Sequence, residues 1–436
     1  MFAVMLSKDI DLGSCHLSAD GLLKFPSHRS VQLPSRLARP LVSLSAARGQ
    51  AVSKEVLIEA CWPEADVGEE SLARAVADLR KIFRLEGFDP IETVYGVGYR
   101  LRISESDNYE VKATRRAESF RQEAWHRVAE RQSGKLDVAE RLFSMALEEE
   151  EAVDDWLGLA QIQLHRIHLG YASIADVWPH ALMAIARALE YKRADALALL
   201  AVGLSTEWSF EDAEEKLSEA RRIEPEGYLP NECSGIREMA VGDFDKAGFY
   251  FRRAIDVMPA ALPPQGRLAH VLSLDSRVDE ALSVARGMVR LDDQSPVSTG
   301  YGAMVESWLG DPERAVVGAR RCVDQLPKSP LAQAILAYAL AASGEKESAA
   351  AVLDLPAYGT ATVGLSAMAG PVWIALGYPG SALAALKHGF DRRCPWLPTV
   401  IHDPRIAELR AEPEFHSIHD AVLGPVVEAR LALPSS

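Results

Sequence analysis

Polar side chains recur at helical spacing between residues 70 and 85. Ser71, Arg74, Asp78, Lys81 and Arg84 stand three or four residues apart, so an α-helix would place them on one face. The guanidinium of Arg74 can donate two hydrogen bonds to O6 and N7 of a guanine. Asp78 can accept a hydrogen bond from the amino group of cytosine, or it can form an ion pair with Arg74 one turn earlier. The pattern therefore indicates a helix face that could recognise the edges of bases.

A first helix, a turn, a second helix and a hairpin are predicted around this face. The first helix covers about residues 53–61, and the second covers 70–85. The second helix has apolar residues at helical spacing on its other side, namely Leu72, Val76, Leu79, Ile82 and Phe83. Two β-prone runs follow within 91–102, and we expect Gly96 and Gly98 to supply the positive φ of a tight hairpin. This order of elements predicts a winged helix-turn-helix.

Short β segments are predicted ahead of these elements. They fall at 2–6, 15–17, 22–25 and 30–33, and a further helix is predicted from Pro34 to Gly49. The predicted N-terminal region is therefore a small antiparallel sheet followed by three helices and a hairpin.

The sequence over roughly residues 2–103 resembles the OmpR/PhoB-type C-terminal effector domain. The resemblance rests on Trp62-Pro63, on Leu79-Arg80-Lys81, and on Ile91-Glu92-Thr93-Val94 followed by Gly96-Val97-Gly98-Tyr99-Arg100. It implies a domain that binds double-stranded DNA, with helix 70–85 in the major groove and hairpin 91–102 as the wing.

The resemblance also implies which residues touch DNA. The expected set, from the first helix, the turn, the second helix and the wing, is Lys54, Trp62, Ser71, Arg74, Ala75, Asp78, Arg80, Lys81, Thr93, Tyr95, Tyr99 and Arg100. Trp62 would donate its indole N–H to a phosphate, and the wing residues would lie against the backbone or the minor groove. Two alternatives stay open: Arg80 could be held in an intramolecular ion pair, and Trp62 could serve only core packing.

The charge of the chain is unevenly distributed. Residues 1–104 contain 13 basic and 13 acidic residues, so the net charge of −15 falls wholly on the remainder. A DNA-binding surface needs local rather than overall basicity. Glu69, Glu70 and Asp78 make the second helix more acidic than is typical of the resembled family, and Tyr95 stands where a basic wing residue is common. We therefore expect modest non-specific affinity for DNA.

Alanine recurs with a period of 34 residues in the second half of the chain. Ala213, Ala247, Ala281, Ala315 and Ala349 are 34 residues apart, and Ala382 follows after 33. Prolines stand twelve positions after three of these alanines. A helix–turn–helix period of about 34 residues is typical of tetratricopeptide repeats (TPR). With two units upstream, the pattern predicts roughly eight helix pairs stacked into a superhelix with a concave face.

The predicted fold is mainly α, with an N-terminal winged helix-turn-helix (α+β) followed by an α-solenoid of TPR-like helix pairs. We place the DNA-binding domain at 1–103, a linker at 104–112, and the repeat domain with capping helices at 113–428. Response regulators of the resembled family carry a phosphoacceptor receiver in front of this domain, and the sequence leaves no room for one. We therefore expect an input signal to enter through the repeats.

Composition favours a cytoplasmic protein without a membrane span. The five cysteines are scattered and form no C-x-x-C pair, which favours reduced thiols. No apolar run reaches the roughly 18 residues of a membrane helix, and the N-terminus lacks the pattern of a signal peptide.

No constellation of catalytic residues is evident, so we expect a protein that is not an enzyme and needs no cofactor. His165 with His168 and His416 with His419 are spaced to share a helix face, but two histidines without further ligands are a weak metal signal. No phosphate-binding G-x-x-x-x-G-K-[ST] motif and no G-x-S-x-G nucleophile turn occurs.

The combination of domains resembles HilA-like bacterial transcriptional regulators. It implies sequence-specific DNA binding by the winged helix, and sensing of a ligand or of a protein by the array. The candidate partners are double-stranded DNA, a protein or peptide in the TPR groove, RNA polymerase, and a second copy of the chain. The alternative is a TPR interaction scaffold whose winged helix no longer binds DNA.

Overall fold

The computed structural model describes residues 10–12, 15–19, 21–25, 27, 29–47, 49–63, 67–102, 105–191, 193–353 and 366–432. The chain divides into two compact units, Met1–Glu118 and Ser119–Ser436. The division falls within a helix that begins at Glu105, so most of the segment predicted as a linker, 104–112, is helical. A short polar run does not by itself indicate a loop, because helices also carry polar residues.

The described part of the first unit contains seven short strands in two antiparallel sheets. The strands are β1 (Ile10–Asp11), β2 (His16–Leu17), β3 (Leu22–Lys24), β4 (Ser30–Gln32), β5 (Val52–Ser53), β6 (Ile91–Val94) and β7 (Gly98–Leu101). The first sheet has the order β1-β2-β3-β4, and the second has the order β5-β7-β6. The strand predicted at 2–6 lies outside the described residues, and β1 was not predicted.

Three helices precede the hairpin in the described part of this unit and share one buried core with the strands. They are α1 (Ser35–Ala46), α2 (Lys54–Cys61) and α3 (Glu69–Arg84). The N-terminus of α2 is capped, because the hydroxyl of Ser53 accepts a hydrogen bond from the Val56 N–H at 3.3 Å. Leu44 of α1, Leu57 of α2 and Leu79 of α3 are fully buried in this core. The predicted order of helix, turn, helix and hairpin is confirmed.

Helices packed as sequential pairs form the second unit. They are α4 (Glu105–Glu130, which begins in the first unit), α5 (Ser133–Glu149), α6 (Val153–His168), α7 (Ile174–Leu189), α8 (Ala194–Thr206), α9 (Phe210–Ile223), α10 (Tyr228–Ala240), α11 (Phe244–Val257), α12 (Leu262–Leu274), α13 (Val278–Leu291), α14 (Pro296–Leu309), α15 (Pro312–Gln325), α16 (Pro330–Ala342), α17 (Lys346–Leu353), α18 (Gly370–Leu376), α19 (Pro379–Asp391), α20 (Leu397–Ile401) and α21 (Pro413–Ala432). Two 3₁₀ helices lie at Ser366–Ala369 and Pro404–Ala411.

The alanines of the 34-residue period lie where neighbouring helices cross. Ala213, Ala247, Ala281, Ala315, Ala349 and Ala382 are all 0% exposed. They occupy α9, α11, α13, α15, α17 and α19, the second helix of each successive pair. A side chain of one carbon lets two helices approach closely, which explains why the period is visible in the sequence. The TPR-like stacking of helix pairs is confirmed.

The loop between α6 and α7 contacts the later part of the same unit. The Ser329 hydroxyl donates a hydrogen bond to the Leu169 carbonyl at 3.0 Å, and the Trp396 indole N–H donates to the His168 carbonyl at 2.9 Å. These bonds join residues 160 and 228 positions apart in the chain. The C-terminal end of α6 therefore contacts the segments that begin α16 and α20.

The cysteines of both units are buried. All five, Cys15 and Cys61 in the first unit and Cys233, Cys322 and Cys394 in the second, are free thiols. Within the described ranges, no three His, Cys, Asp or Glu side chains are grouped as metal ligands. No described helix combines the length and the apolar character that crossing a membrane requires.

Acid is expected to destabilise the array through His270. This side chain is 4% exposed, and burial, followed by the nearby positive Arg405, lowers its pKa from 6.5 to about 4. Above pH 6.5 both states are neutral, whereas between pH 6.5 and about 4 only the unfolded state binds the proton. The free energy of unfolding should therefore fall by about 1.4 kcal/mol per pH unit from this group. Urea unfolding at pH 7 and pH 5 measures the slope.

The matched variants for this pH dependence are His270→Leu and His180→Leu. His180 is exposed, so His180→Leu should keep the wild-type slope. His270→Leu should reduce the slope by about 1.4 kcal/mol per pH unit, and the part due to His165 and His168, whose pKa values burial also lowers, should remain. Equal slopes in the two variants would rule out His270 as the source.

Candidate nucleic-acid interface

The apolar side of α3 is anchored in the core of the first unit, which turns its polar side outward. Leu72, Val76, Leu79 and Phe83 are at most 1% exposed. Glu69 and Glu70 lie in the first turn, and Lys81 and Arg84 lie in the last turn. Charges so placed complement the helix dipole, so the acidic start of α3 stabilises the helix itself. These two carboxylates therefore have a structural role that the sequence comparison with typical family members did not suggest.

The outward face of α3 carries two cations and small side chains. On a helix with 3.6 residues per turn, Arg74, Ala77, Asp78 and Lys81 fall within an arc of about 100°. Arg74, Ala77 and Lys81 are exposed, and Asp78 is half-buried. Ala73 is exposed beside them. Ala73 and Ala77 are not among the residues predicted to touch DNA, although their spacing already excludes them from the apolar stripe.

Arg74 and Lys81 form no hydrogen bond or ion pair within the described residues. The alternative in which Asp78 restrains Arg74 is not what the structure shows. Instead, the Asp78 carboxylate accepts from Nη2 of Arg36, on α1, at 3.2 Å. The guanidinium of Arg74 is therefore available to an external acceptor.

Arg80 ties α3 to the wing. Its Nη2 donates to the Ile91 carbonyl at 2.8 Å and to the Thr93 hydroxyl at 2.9 Å, and its Nε lies 3.6 Å from the Asp89 carboxylate. Arg84 also pairs with Asp89, at 2.8 Å. The intramolecular alternative for Arg80 is thus the one formed in this structure, and it fixes the position of β6 against α3.

The wing exposes one aromatic ring and buries another. Tyr95, at the tip, is 95% exposed, whereas Tyr99 is 9% exposed and pairs with Val52 of β5. Gly96 has φ 76°, as expected for the tight turn. The expectation of positive φ at Gly98 is wrong, because Gly98 is needed for space: a Cβ there would lie 2.1 Å from the Val52 carbonyl oxygen.

Two further basic residues of the predicted DNA-binding set, Lys54 and Arg100, form ion pairs with carboxylates of the same domain. Lys54 lies 2.6 Å from Glu69, and Arg100 lies 2.7 Å from Glu92. The hydrogen bond with Glu69 raises the pKa of Lys54, and the hydrogen bond from Arg100 lowers the pKa of Glu92. Both pairs are solvent-accessible, and such pairs contribute little stability, so the cations can exchange partners at small cost.

The remaining predicted residues differ in accessibility. Ala75 is 3% exposed and belongs to the core, because it lies on the apolar side of α3, so its side chain is not available to DNA in this structure. Ser71 is half-buried. Trp62 is half-buried and packs against the core of the first unit, which supports a packing role. This packing does not involve the indole N–H. Arg74, Lys81, Thr93 and Tyr95 are therefore the exposed members of the set.

Comparison with known proteins gives the family of this region. Residues 28–101 match the family described as "Transcriptional regulatory protein, C terminal". The transcriptional regulator HilA of Salmonella typhimurium (strain LT2) is 41% identical over 85 residues, and so is HilA of Salmonella typhi. The match covers 19% of this chain and 15% of each HilA protein.

Solved structures resemble the chain more distantly. The Cut9–Hcn1 hetero-tetramer of the APC/C gives a TM-score of 0.48 at 16% identity, over 89% of this chain and 75% of the other. A tetratricopeptide repeat protein from Parabacteroides merdae gives 0.37 at 12% identity, over 64% and 93%. With the motifs, the helix order and the match at 28–101, the N-terminal region belongs to the OmpR/PhoB-type winged-helix family of transcriptional regulators, and TPR-like helix pairs follow it.

Proposed function

We propose that this protein is a cytoplasmic, sequence-specific DNA-binding regulator of transcription. In this proposal α3 enters the major groove with its outward face toward the bases. The observation that carries the proposal is the free guanidinium of Arg74, exposed on α3 beside the small side chains of Ala73 and Ala77. Small residues let a helix approach the floor of the groove, and a methyl side chain can contact the methyl group of thymine.

Other exposed groups fit contacts with the sugar–phosphate backbone. Lys81 lies near the C-terminal end of the same face and can pair with a phosphate. Tyr95 and Thr93 on the wing, with Lys54 and Arg100 after exchange of their carboxylate partners, can reach further phosphates. Trp62 would add its indole N–H from the turn. Few free cations predict a small counterion release and hence weak dependence of binding on salt.

A single winged helix reads only a short half-site, so useful specificity needs a second copy or adjacent sites. We propose a homodimer on DNA, with RNA polymerase as a further contact of the bound regulator. The TPR-like array would supply the regulatory input, by binding a ligand or a protein. The free, buried cysteines support a reducing compartment.

Removal of Arg74 should weaken specific DNA binding. Arg74→Ala deletes an exposed side chain without a partner, so folding should be unchanged, while affinity for a site selected from random DNA should fall by about 1–3 kcal/mol, or about 5- to 150-fold. Fluorescence anisotropy on the full chain measures the affinity. The matched control is Lys24→Ala, which removes one exposed positive charge from β3, outside α3 and the wing.

The alternative function is a TPR interaction scaffold whose winged helix has lost DNA binding. It is favoured by one observation: Lys54, Arg80, Arg84 and Arg100 all have carboxylate partners within the domain. The scaffold function is favoured if the wild-type chain selects no DNA sequence from a random pool. It also requires that the wild type, Arg74→Ala and Lys24→Ala all bind random DNA equally weakly at low salt.

A further inference from the structure

The second unit contains a partly open cavity of about 300 Å³. Helices α4, α6, α8, α10, α12, α14, α16 and α20 contribute to its wall, so residues far apart in sequence meet there. The hydrogen bonds from Ser329 to Leu169 and from Trp396 to His168 lie beside the cavity. This volume lies at the lower end of the range for small-molecule sites, about 300–1,000 Å³. It suits a metabolite, and it is too small for an extended peptide.

Most of the wall is apolar. Large hydrophobic side chains come from several helices, including Trp125, Leu199, Val202, Met304, Ile335 and Trp396. A wall of this kind favours a ligand with a hydrophobic body, since removing apolar area from water stabilises the complex by about 25 cal/mol per Å².

Three charged side chains also line the cavity: Arg131, Arg267 and Glu232. Arg267 forms an ion pair with Glu232, which is 7% exposed. Burial has the largest effect on Arg267 and lowers its pKa, but the Glu232 carboxylate together with the nearby Tyr301, Tyr228 and Cys233 outweighs burial, so the pKa of Arg267 stays raised. One carboxylate therefore compensates one of the two guanidinium groups.

Arg131 is the guanidinium without an ion-pair partner, and the more distant Glu232 offsets only part of the cost of its charge. Within the described residues it forms no ion pair, and burial followed by the positive Arg267 lowers its pKa. Its backbone has φ 57°, a conformation usually taken by glycine or asparagine at the end of a helix. The Tyr171 hydroxyl holds that turn by donating to the Arg131 carbonyl at 3.1 Å. The chain thus keeps a cation in the wall where desolvation disfavours it.

Neutral polar groups stand next to these arginines. His165 lines the cavity, and its buried Nδ1 has no hydrogen-bond partner in the described structure. Burial lowers the pKa of His165 well below its usual value, so it is neutral at pH 7 and can donate one hydrogen bond without adding charge. The net charge of the wall at neutral pH is therefore one positive charge.

We propose that this cavity binds a small organic monoanion, a carboxylate with an apolar body, whose carboxylate pairs with Arg131. A carboxylate matches the planar fork of a guanidinium and carries the single charge that the wall leaves uncompensated, whereas a phosphate would bring about 1.5–2 charges. This inference rests on the proposed function for its regulatory meaning, because the ligand would be the input that the array receives.

Calorimetric titration of the full chain with octanoate tests the site. We expect saturable binding at one site per chain, and binding of the uncharged 1-octanol at least tenfold weaker. Arg131→Gln should weaken octanoate about 10- to 100-fold and leave 1-octanol unchanged. The control Arg222→Gln removes an exposed arginine from α9 and should bind octanoate as the wild type does. Without ligand, Arg131→Gln should melt no lower than the wild type, because it removes a charge on a half-buried side chain that desolvation disfavours.

Several results would overturn the proposal. For the wild type, these are no binding of octanoate at millimolar concentration, equal affinities for octanoate and 1-octanol, or tighter binding of inorganic phosphate than of octanoate. For Arg131→Gln, an unchanged affinity for octanoate would also contradict the proposal. If Arg131→Gln does not fold, Arg131→Lys replaces it and should weaken octanoate less than tenfold but measurably; an unchanged affinity contradicts the proposal. The octanoate titration contains no DNA, so it tests the cavity independently of DNA binding. If the chain binds octanoate but no DNA, the proposed regulatory function is wrong and the proposed ligand site is still supported.

Discussion

Replacing Gly98 by alanine is expected to detach the wing from the first unit and to abolish sequence-specific DNA binding. The added Cβ would lie 2.1 Å from the Val52 carbonyl oxygen and 3.0 Å from the Lys54 nitrogen. Both obstacles are backbone atoms, so no side-chain rotation relieves the clash. We expect a loss of about 3 kcal/mol or more, at or above the top of the usual range for overpacking.

The consequence follows from the register of the sheet. Gly98 pairs with Ser53 on one side and with Val94 on the other, so β7 is the central strand of β5-β7-β6. Ser53 also caps α2, so displacement of β5 would disturb the start of the helix before the turn. Hydrogen exchange followed by mass spectrometry should show faster exchange in 52–56 and 91–101.

The control for Gly98→Ala is Gly96→Asn. Gly96 has φ 76° with nothing within 4 Å of an added Cβ, and asparagine tolerates this conformation at small cost. Gly96→Asn should keep wild-type exchange. A Gly98→Ala protein with wild-type exchange and DNA affinity would show that β5 does not pack against β7 as described.

Replacing Phe251 by alanine is expected to cost about 3–5 kcal/mol, the usual range for a fully buried phenylalanine. Phe251 is 0% exposed on α11, and a Cβ on Gly235 of α10 would lie 2.5 Å from its ring. The ring therefore fills a space that Gly235 leaves open, and its removal creates a cavity between the two helices. Because repeats are stabilised mainly by their neighbours, α10 and α11 should unfold before the rest of the array.

The matched control is Phe249→Ala, two residues away on the same helix. Phe249 is 52% exposed, so its loss should cost less than about 1 kcal/mol. Urea unfolding compares the two variants with the wild type. Similar midpoints for Phe251→Ala and Phe249→Ala would contradict the packing described for this helix pair.

The sequence predicted the elements well because their signals are local and periodic. The apolar stripe of α3 and the alanines from Ala213 to Ala382 each follow from the geometry of a helix or of a repeat. From the sequence alone, the acidic residues at the start of α3 predict only modest affinity for DNA. The structure shows that Glu69 and Glu70 lie where the helix dipole favours negative charge.

Contacts between residues distant in sequence could not be predicted. Asp78 pairs with Arg36, 42 positions earlier, a partner that the helix alone does not suggest. For Arg80 the sequence left an intramolecular ion pair open, but it did not indicate the hydrogen bonds to the Ile91 carbonyl and the Thr93 hydroxyl of the wing. The cavity beside Arg131 depends on hydrogen bonds spanning 160 and 228 positions. Such bonds depend on how helices distant in the chain pack together, which no local pattern records.

The central claim is that Arg74 on α3 reads a guanine in the DNA site. The most direct measurement replaces each guanine of the selected site, one at a time, by 7-deazaguanine, which lacks the N7 acceptor. At one guanine the wild type should lose about tenfold in affinity, whereas Arg74→Ala should bind the modified and unmodified sites equally. Two results would contradict a contact between Arg74 and guanine. In the first, 7-deazaguanine at that position lowers the affinity of Arg74→Ala as much as it lowers that of the wild type. In the second, no guanine replacement changes the affinity of the wild type.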